Sequence, residues 1–216
     1  MEPVAVMMTG VCRPNLDTIK SNIQHNIDFF QSKFSNVHFY VVTYQNQYSH
    51  DLSQYLNPLK NMNYQIIEPI NETIGNHRLF TNTYRMWKSI EQTVNLIEIQ
   101  PKIVFRIRLD SILHVCEIPT ELKENTYYAY YCNNSKQQIS DNISFSSLDV
   151  MKTIWNADKL TSKVLKTNNE TILYNITTSH NIKIQPTRFK YEILQSGDEF
   201  YDGIPQWSRR NRLFDC

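Results

Sequence analysis

The chain has 216 residues, 41% of them hydrophobic, and a formal net charge of +1. That size suits one domain with a real core, and the near-zero charge gives nucleic acid no electrostatic reason to bind. Four glycines and eight prolines are too few for a low-complexity chain.

Cys12, Cys116, Cys132 and Cys216 form no C-x-x-C pair, which argues against a zinc site. No apolar run approaches the roughly 20 residues of a membrane span. The opening MEPVAVMMTG enters a strand without the basic and long apolar regions of a secretory signal. Sequons at Asn71, Asn133, Asn142, Asn169 and Asn175 read as chance in an Asn-rich chain. The prediction is a soluble, reduced, cytoplasmic protein with no transmembrane segment.

In chain order, residues 4–11 (VAVMMTGV) read as a buried parallel strand. Asn15 is placed to cap a helix over 16–31, with Leu16, Ile19, Ile23, Ile27 and Phe30 at helical spacing. Residues 37–43 form a second strand, which completes a βαβ unit. A weak helix over 51–59, a strand over 64–68 and a strong helix over 78–96 follow. Leu79, Tyr84, Trp87, Ile90 and Val94 line the buried side of the last.

Pro101 then leads into KIVFRIRLD at 102–110. Strand alternation sends Phe105, Ile107 and Leu109 to one face, and Arg106, Arg108 and Asp110 to the other. Charges on a buried face need partners. Two explanations are open: an internal ion-pair ladder, or a ligand site at the carboxyl end of a central strand.

The second half predicts strands over 126–132 and 139–145, and a helix over 147–155 capped by Ser147. A helix over 170–178 capped by Asn169 follows, then strands over 182–185 and 191–194 and an irregular tail from 198. The β-α-β-α-β-α-β order predicts an α/β fold: one central, mostly parallel mixed sheet flanked by helices. Residues 1–197 are expected to form the domain. Residues 198–216, with Trp207, Arg209, Arg210 and Arg212, are expected to be a lid or the start of a linker.

This order of features resembles the GT-A fold, nucleotide-sugar glycosyltransferases, in particular the WavE-like lipopolysaccharide type and those of large DNA viruses. The resemblance rests on residues 4–10, NHRLFTNTYRMW, FRIRLDS, SDNISFSS with the Met151 helix, and NNETILYN with IKIQ. It implies a UDP-linked or other nucleotide-sugar donor, a glycan or glycoprotein acceptor, and a divalent cation, Mn²⁺ or Mg²⁺. Arg108-Leu109-Asp110 keeps only the last aspartate of the family's D-x-D triplet, so metal binding rests on Asp110.

Candidate donor-binding residues are Thr9, Gly10, Arg13, Thr43, Arg78, Asn82, Arg106, Arg108 and Asp110. Gly10 permits close backbone approach, Arg13 reaches toward phosphate, and Arg78 opens a helix with a positive end. Arg106 and Arg108 either face diphosphate or fix Asp110. Arg85 reads better as a solvated helix residue, and His114 and His180 as structural. Asp141 and Glu170 compete as catalytic base, with Asp141 preferred and Asp198 a distant third. The rival readings are a non-catalytic sugar-binding domain and a sugar nucleotidyltransferase.

Overall fold

A computed structural model describes residues 2–10, 15–69, 78–132, 137–160, 167–193 and 212–215; for 78–80 and 212–215 it describes the backbone alone. The first half alternates as expected: β1 (Val4–Thr9), α1 (Leu16–Lys33), β2 (Val37–Tyr44), α2 (Ser49–Leu56), β3 (Met62–Ile67), α3 (Arg78–Asn95) and β4 (Ile103–Arg108). Then come β5 (Ser111–Cys116), β6 (Thr126–Ala129), β7 (Ile143–Ser146), α4 (Leu148–Ile154), α5 (Asn169–Ser179), β8 (Lys183–Pro186), β9 (Phe189–Ile193) and β10 (Arg212–Asp215).

Seven strands form one sheet in the order β3-β2-β1-β4-β7-β6-β8. The β1–β2, β1–β4, β2–β3 and β6–β8 pairs are parallel, and β7 runs antiparallel to β4 and β6. β1 is buried along its whole length because helices cover both faces of the sheet, so it reads as a continuous apolar run. On one face, Val6, Met8, Phe105 and Ile107 pack against Ile19, Ile23, Ile27 and Phe30 of α1. On the other, Ala5, Met7 and Val104 pack with Trp87 and Ile90 of α3, Met151 of α4 and Ile172 of α5. Each such large side chain contributes about 1.5–3 kcal/mol on burial.

Asn15 caps α1 as expected: its side-chain oxygen accepts from the Thr18 N–H at 2.8 Å. Ser147 caps α4 through the Val150 N–H. The cap of α5 is Asn168, which accepts from the Thr171 N–H at 3.0 Å, while Asn169 is already helical. The strand expected over 102–110 ends at Arg108 and the one expected over 139–145 begins at Ile143, so Asp110 and Asp141 lie just outside β4 and β7. Two further strands differ from expectation. β5 follows β4 after a two-residue turn, and residues 212–215 of the expected irregular tail form β10. Both join β9 in a second, antiparallel sheet of order β10-β9-β5. Neither strand has a local signature, because each is completed by residues distant in sequence. No described helix is long and apolar enough to cross a membrane.

Candidate functional site

Strand order turns back between β1 and β4. The chain winds from β1 outward through β2 to β3, then returns to place β4 on the other side of β1. α1 and α3 therefore cover opposite faces, which makes the carboxyl ends of β1 and β4 a topological switch point, the place where open α/β sheets have their ligand crevice. Thr9 and Arg108 lie in register there. β7 runs the other way and so begins where β4 ends: the Arg108 N–H donates to the Asn142 carbonyl at 3.1 Å. That register delivers Asp141 and Asn142 to the same end. The Tyr44 hydroxyl, closing β2, donates to the Arg85 carbonyl at 2.6 Å, which sets the opening turns of α3 beyond the strand ends. α5 starts alongside, with the Asn169 amide 3.7 Å from Met86 Sδ and the Ile139 N–H donating to the Glu170 carbonyl.

At the centre is a bidentate ion pair. Arg108 Nε donates to Asp110 Oδ1 at 2.8 Å and Nη2 to Oδ2 at 2.5 Å. Nη1 donates to Asn142 Oδ1 at 3.2 Å, and the Asn142 amide donates onward to the Tyr191 hydroxyl at 3.2 Å. Tyr191 in turn meets the Tyr130 hydroxyl. Burial opposes the Arg108 charge, but the Asp110 charge and hydrogen bonds outweigh it and raise the pKa above the ordinary arginine value.

α1 fastens the turn that carries Asp110. The Asn26 amide donates to the Ser111 carbonyl at 2.8 Å and accepts from the Leu113 N–H at 3.0 Å, and the Asn22 amide reaches the Leu109 carbonyl at 3.5 Å. Gly10 faces this turn with φ +143°, a conformation side chains resist. A Cβ there would meet only Leu109 atoms at 3.6 Å and beyond, so backbone conformation, not space, calls for glycine.

Arg106 lies deeper on the same face and is 1% exposed. Its guanidinium sits 5.4 Å from the Trp155 ring centroid, and its Nε and Nη1 have no hydrogen-bond partner. Burial lowers its pKa, with the Asp141 charge opposing. Asp141 is itself buried. Glu170 is half-buried, and burial, then the Asp141 charge, raise its carboxyl above 4.5. Arg106, Arg108, Asp110, Asp141 and Glu170 thus form one electrostatic group.

The other expected residues are more scattered. Thr9 ends β1 and Thr43 is the last residue but one of β2, both buried with hydroxyls that have no hydrogen-bond partner. Asn82 is exposed on α3, and Arg78 is the first residue of that helix, its side chain outside the described set. Arg13, Asp198, Trp207, Arg209 and Arg210 lie outside the described residues. His114 pairs with Glu192 at 3.7 Å on the small sheet, and His180 caps the far end of α5. Among the described residues, no group of three or more His, Cys, Asp and Glu side chains is placed to hold a metal ion.

Sequence reasoning missed Asn142, Tyr191 and Trp155, whose roles depend on distant pairings. Asn22 and Asn26 did leave a signal: two amides four apart on the apolar face of α1, where polar residues need a partner.

No family model matches the sequence, and no curated protein does. Solved structures do match. Galactosyltransferase LgtC in complex with donor and acceptor sugar analogues aligns at TM-score 0.52 and 10% identity, over 85% of this chain and 72% of that one. An active-site mutant of LgtC aligns at 0.53 with the same identity and coverage. A mutant of Drosophila β1,4-galactosyltransferase 7, complexed with manganese, UDP-Gal and xylobiose, aligns at 0.49 and 7% identity over 86% and 65%, too loosely to carry weight. The chain has the GT-A glycosyltransferase fold.

Proposed function

We propose that the chain is a nucleotide-sugar-dependent glycosyltransferase of the WavE-like and large-virus type. It moves a hexosyl or deoxyhexosyl group from a UDP-linked donor to a glycan or glycoprotein acceptor, with inversion. One observation supports this most: the gathering of Arg108, Asp110, Asp141 and Glu170 at the crevice where strand order reverses on a GT-A sheet. The donor lies over Thr9, Gly10 and Thr43, with Asn82 and Arg108 toward its phosphates, and Arg13 and Arg78 are assigned to phosphate from their place in the sequence alone. Arg106 is too buried to meet phosphate directly and holds the charge of Asp141 in place.

In the inverting step the acceptor hydroxyl attacks the anomeric carbon as Asp141 takes its proton. The bond from that carbon to the diphosphate oxygen breaks, and the electron pair leaves with the nucleoside diphosphate. Glu170 is the alternative base. The free, buried thiol of Cys116 supports a reducing, cytoplasmic setting.

The Mn²⁺ or Mg²⁺ anticipated at Asp110 does not fit the donor set as folded. Both Asp110 oxygens already accept from Arg108, and a hard cation wants several free oxygens.

The test is turnover. Incubation with nucleotide-sugars and glycan acceptors should release free nucleoside diphosphate, and Asp141→Asn should slow release by about 10²–10⁴-fold. An Asp141→Asn variant with the full rate removes that residue from the role. Absence of both thermal stabilisation and turnover across the nucleotide-sugars defeats the transferase reading. Release of pyrophosphate in place of nucleoside diphosphate would point to nucleotidyl transfer.

A further inference from the structure

We propose that Arg108 is the resident cation of the donor site: its guanidinium meets the donor diphosphate, Asp110 and Asn142 hold it in position, and donor binding needs no divalent metal. This rests on the reading of the crevice as a nucleotide-sugar site.

Accessibility distinguishes the two partners of the ion pair. The Arg108 side chain is 27% exposed and that of Asp110 is 9% exposed. An anion entering the crevice therefore meets guanidinium first, with the carboxylate behind it. A metal would have to pass the arginine to reach the acid.

The hydrogen bonds point the same way. Nε and Nη2 each hold one Asp110 oxygen, and Nη1 holds Asn142. Three of the five guanidinium N–H groups are thereby used, and two remain to bind phosphate oxygens in a fixed plane. Asn142 is steadied in turn by Tyr191, so the fork is oriented before any ligand arrives, which lowers the ordering cost of binding. Metal binding would reverse this arrangement. It would strip a charge-assisted pair from Asp110 and leave a guanidinium beside a divalent ion. The raised pKa of Arg108 keeps the charge in place at every working pH.

The sequence carries the same substitution. Where the family motif has its first aspartate, this chain has Arg108. A positive side chain replaces one that would hold a positive ion. As the bond to the anomeric carbon breaks, the electron pair settles on the diphosphate, and the guanidinium faces that growing charge.

The experiment is isothermal titration of the full chain with UDP, GDP and CDP, in EDTA and in Mn²⁺. The nucleotide that binds should do so with affinities within about twofold in the two buffers, whereas loss of the charged hydrogen bonds in Arg108→Ala should weaken it about 10- to 100-fold in both. Arg108→Lys should recover part of that loss. Arg108→Asp should create binding that depends on Mn²⁺. The wild-type comparison needs no variant to fold, and unfolding midpoints check the variants. Binding by the wild type only with Mn²⁺, or undiminished binding by a folded Arg108→Ala, overturns the proposal while leaving the transferase reading intact. Binding of no nucleotide in either buffer overturns both.

Discussion

On one face of β4, Phe105 packs against Phe30 and Phe145 with ring centroids 4.8 and 5.1 Å away, and Ile107 and Leu109 continue the same apolar surface. On the other, Arg106, Arg108 and Asp110 lie in a row among Trp155, Asn142 and Asp141. The first face is held by area removed from water, which is tolerant of detail. The second consists of groups costly to bury, each acceptable only while its partner remains. A single strand therefore combines a robust half that fixes its place and a fragile half that carries the chemistry.

The largest effect should come from the apolar face. Phe105→Ala should cost about 3–5 kcal/mol in urea unfolding, because the ring cluster around it leaves little room to collapse. A loss under about 1 kcal/mol would erase the contrast between the faces. Next comes the charged face. Arg106→Met should cost about 1–2 kcal/mol, because the loss of a positive charge that favours ionised Asp141 is offset in part by removal of buried N–H groups that lack partners. Asp141→Asn should cost less in the Arg106→Met background than in the wild type, and a double-mutant cycle reads that coupling. Additive losses would show that the two charges do not support each other.

Smaller still, Asn15→Ala at the start of α1 should cost about 1 kcal/mol, as loss of a helix cap usually does. The subtlest expectation is a slope. Burial raises the Glu170 carboxyl above 4.5 in the folded chain, so the fold favours its protonated form. Its contribution to stability is complete below 4.5 and is lost as pH rises through the raised value. Urea midpoints measured from about pH 4 to about pH 7 should show a decline that Glu170→Gln removes. An unchanged slope in that variant would place the titration elsewhere.

The robust half was also the legible half. Alternation in KIVFRIR and helical spacing in α1 and α3 are local signals, and the structure follows them, while Leu109 and Asp110 fall in the turn after β4. The spacing of two between Arg108 and Asp110 put both on one face, where they do pair. Asn142 could not be found this way, since its place depends on the antiparallel register of β7 against β4. Tyr191 depends on β9 pairing with β5 across more than seventy intervening residues. At α5 the expected cap was Asn169, but Asn168, with its backbone extended at ψ 159° and its side chain accepting from the Thr171 N–H, takes that place one residue earlier.

The small sheet also sets a timetable. β1 to β4 need nothing beyond residue 108 to pair with one another, but β9 gains its outer neighbour only when residues 212–215 have been made. At about 5–20 residues per second, the ribosome takes roughly 5–20 s to cover that stretch. During this interval the parallel core can settle while β5 waits for its partner, and the turn bearing Asp110 is secured from the α1 side alone. The strand that supplies Tyr191 arrives after the pair it supports. A nascent chain stalled before β9 would thus carry the sheet, the helix and the ion pair, while the tyrosine behind Asn142 would still be missing.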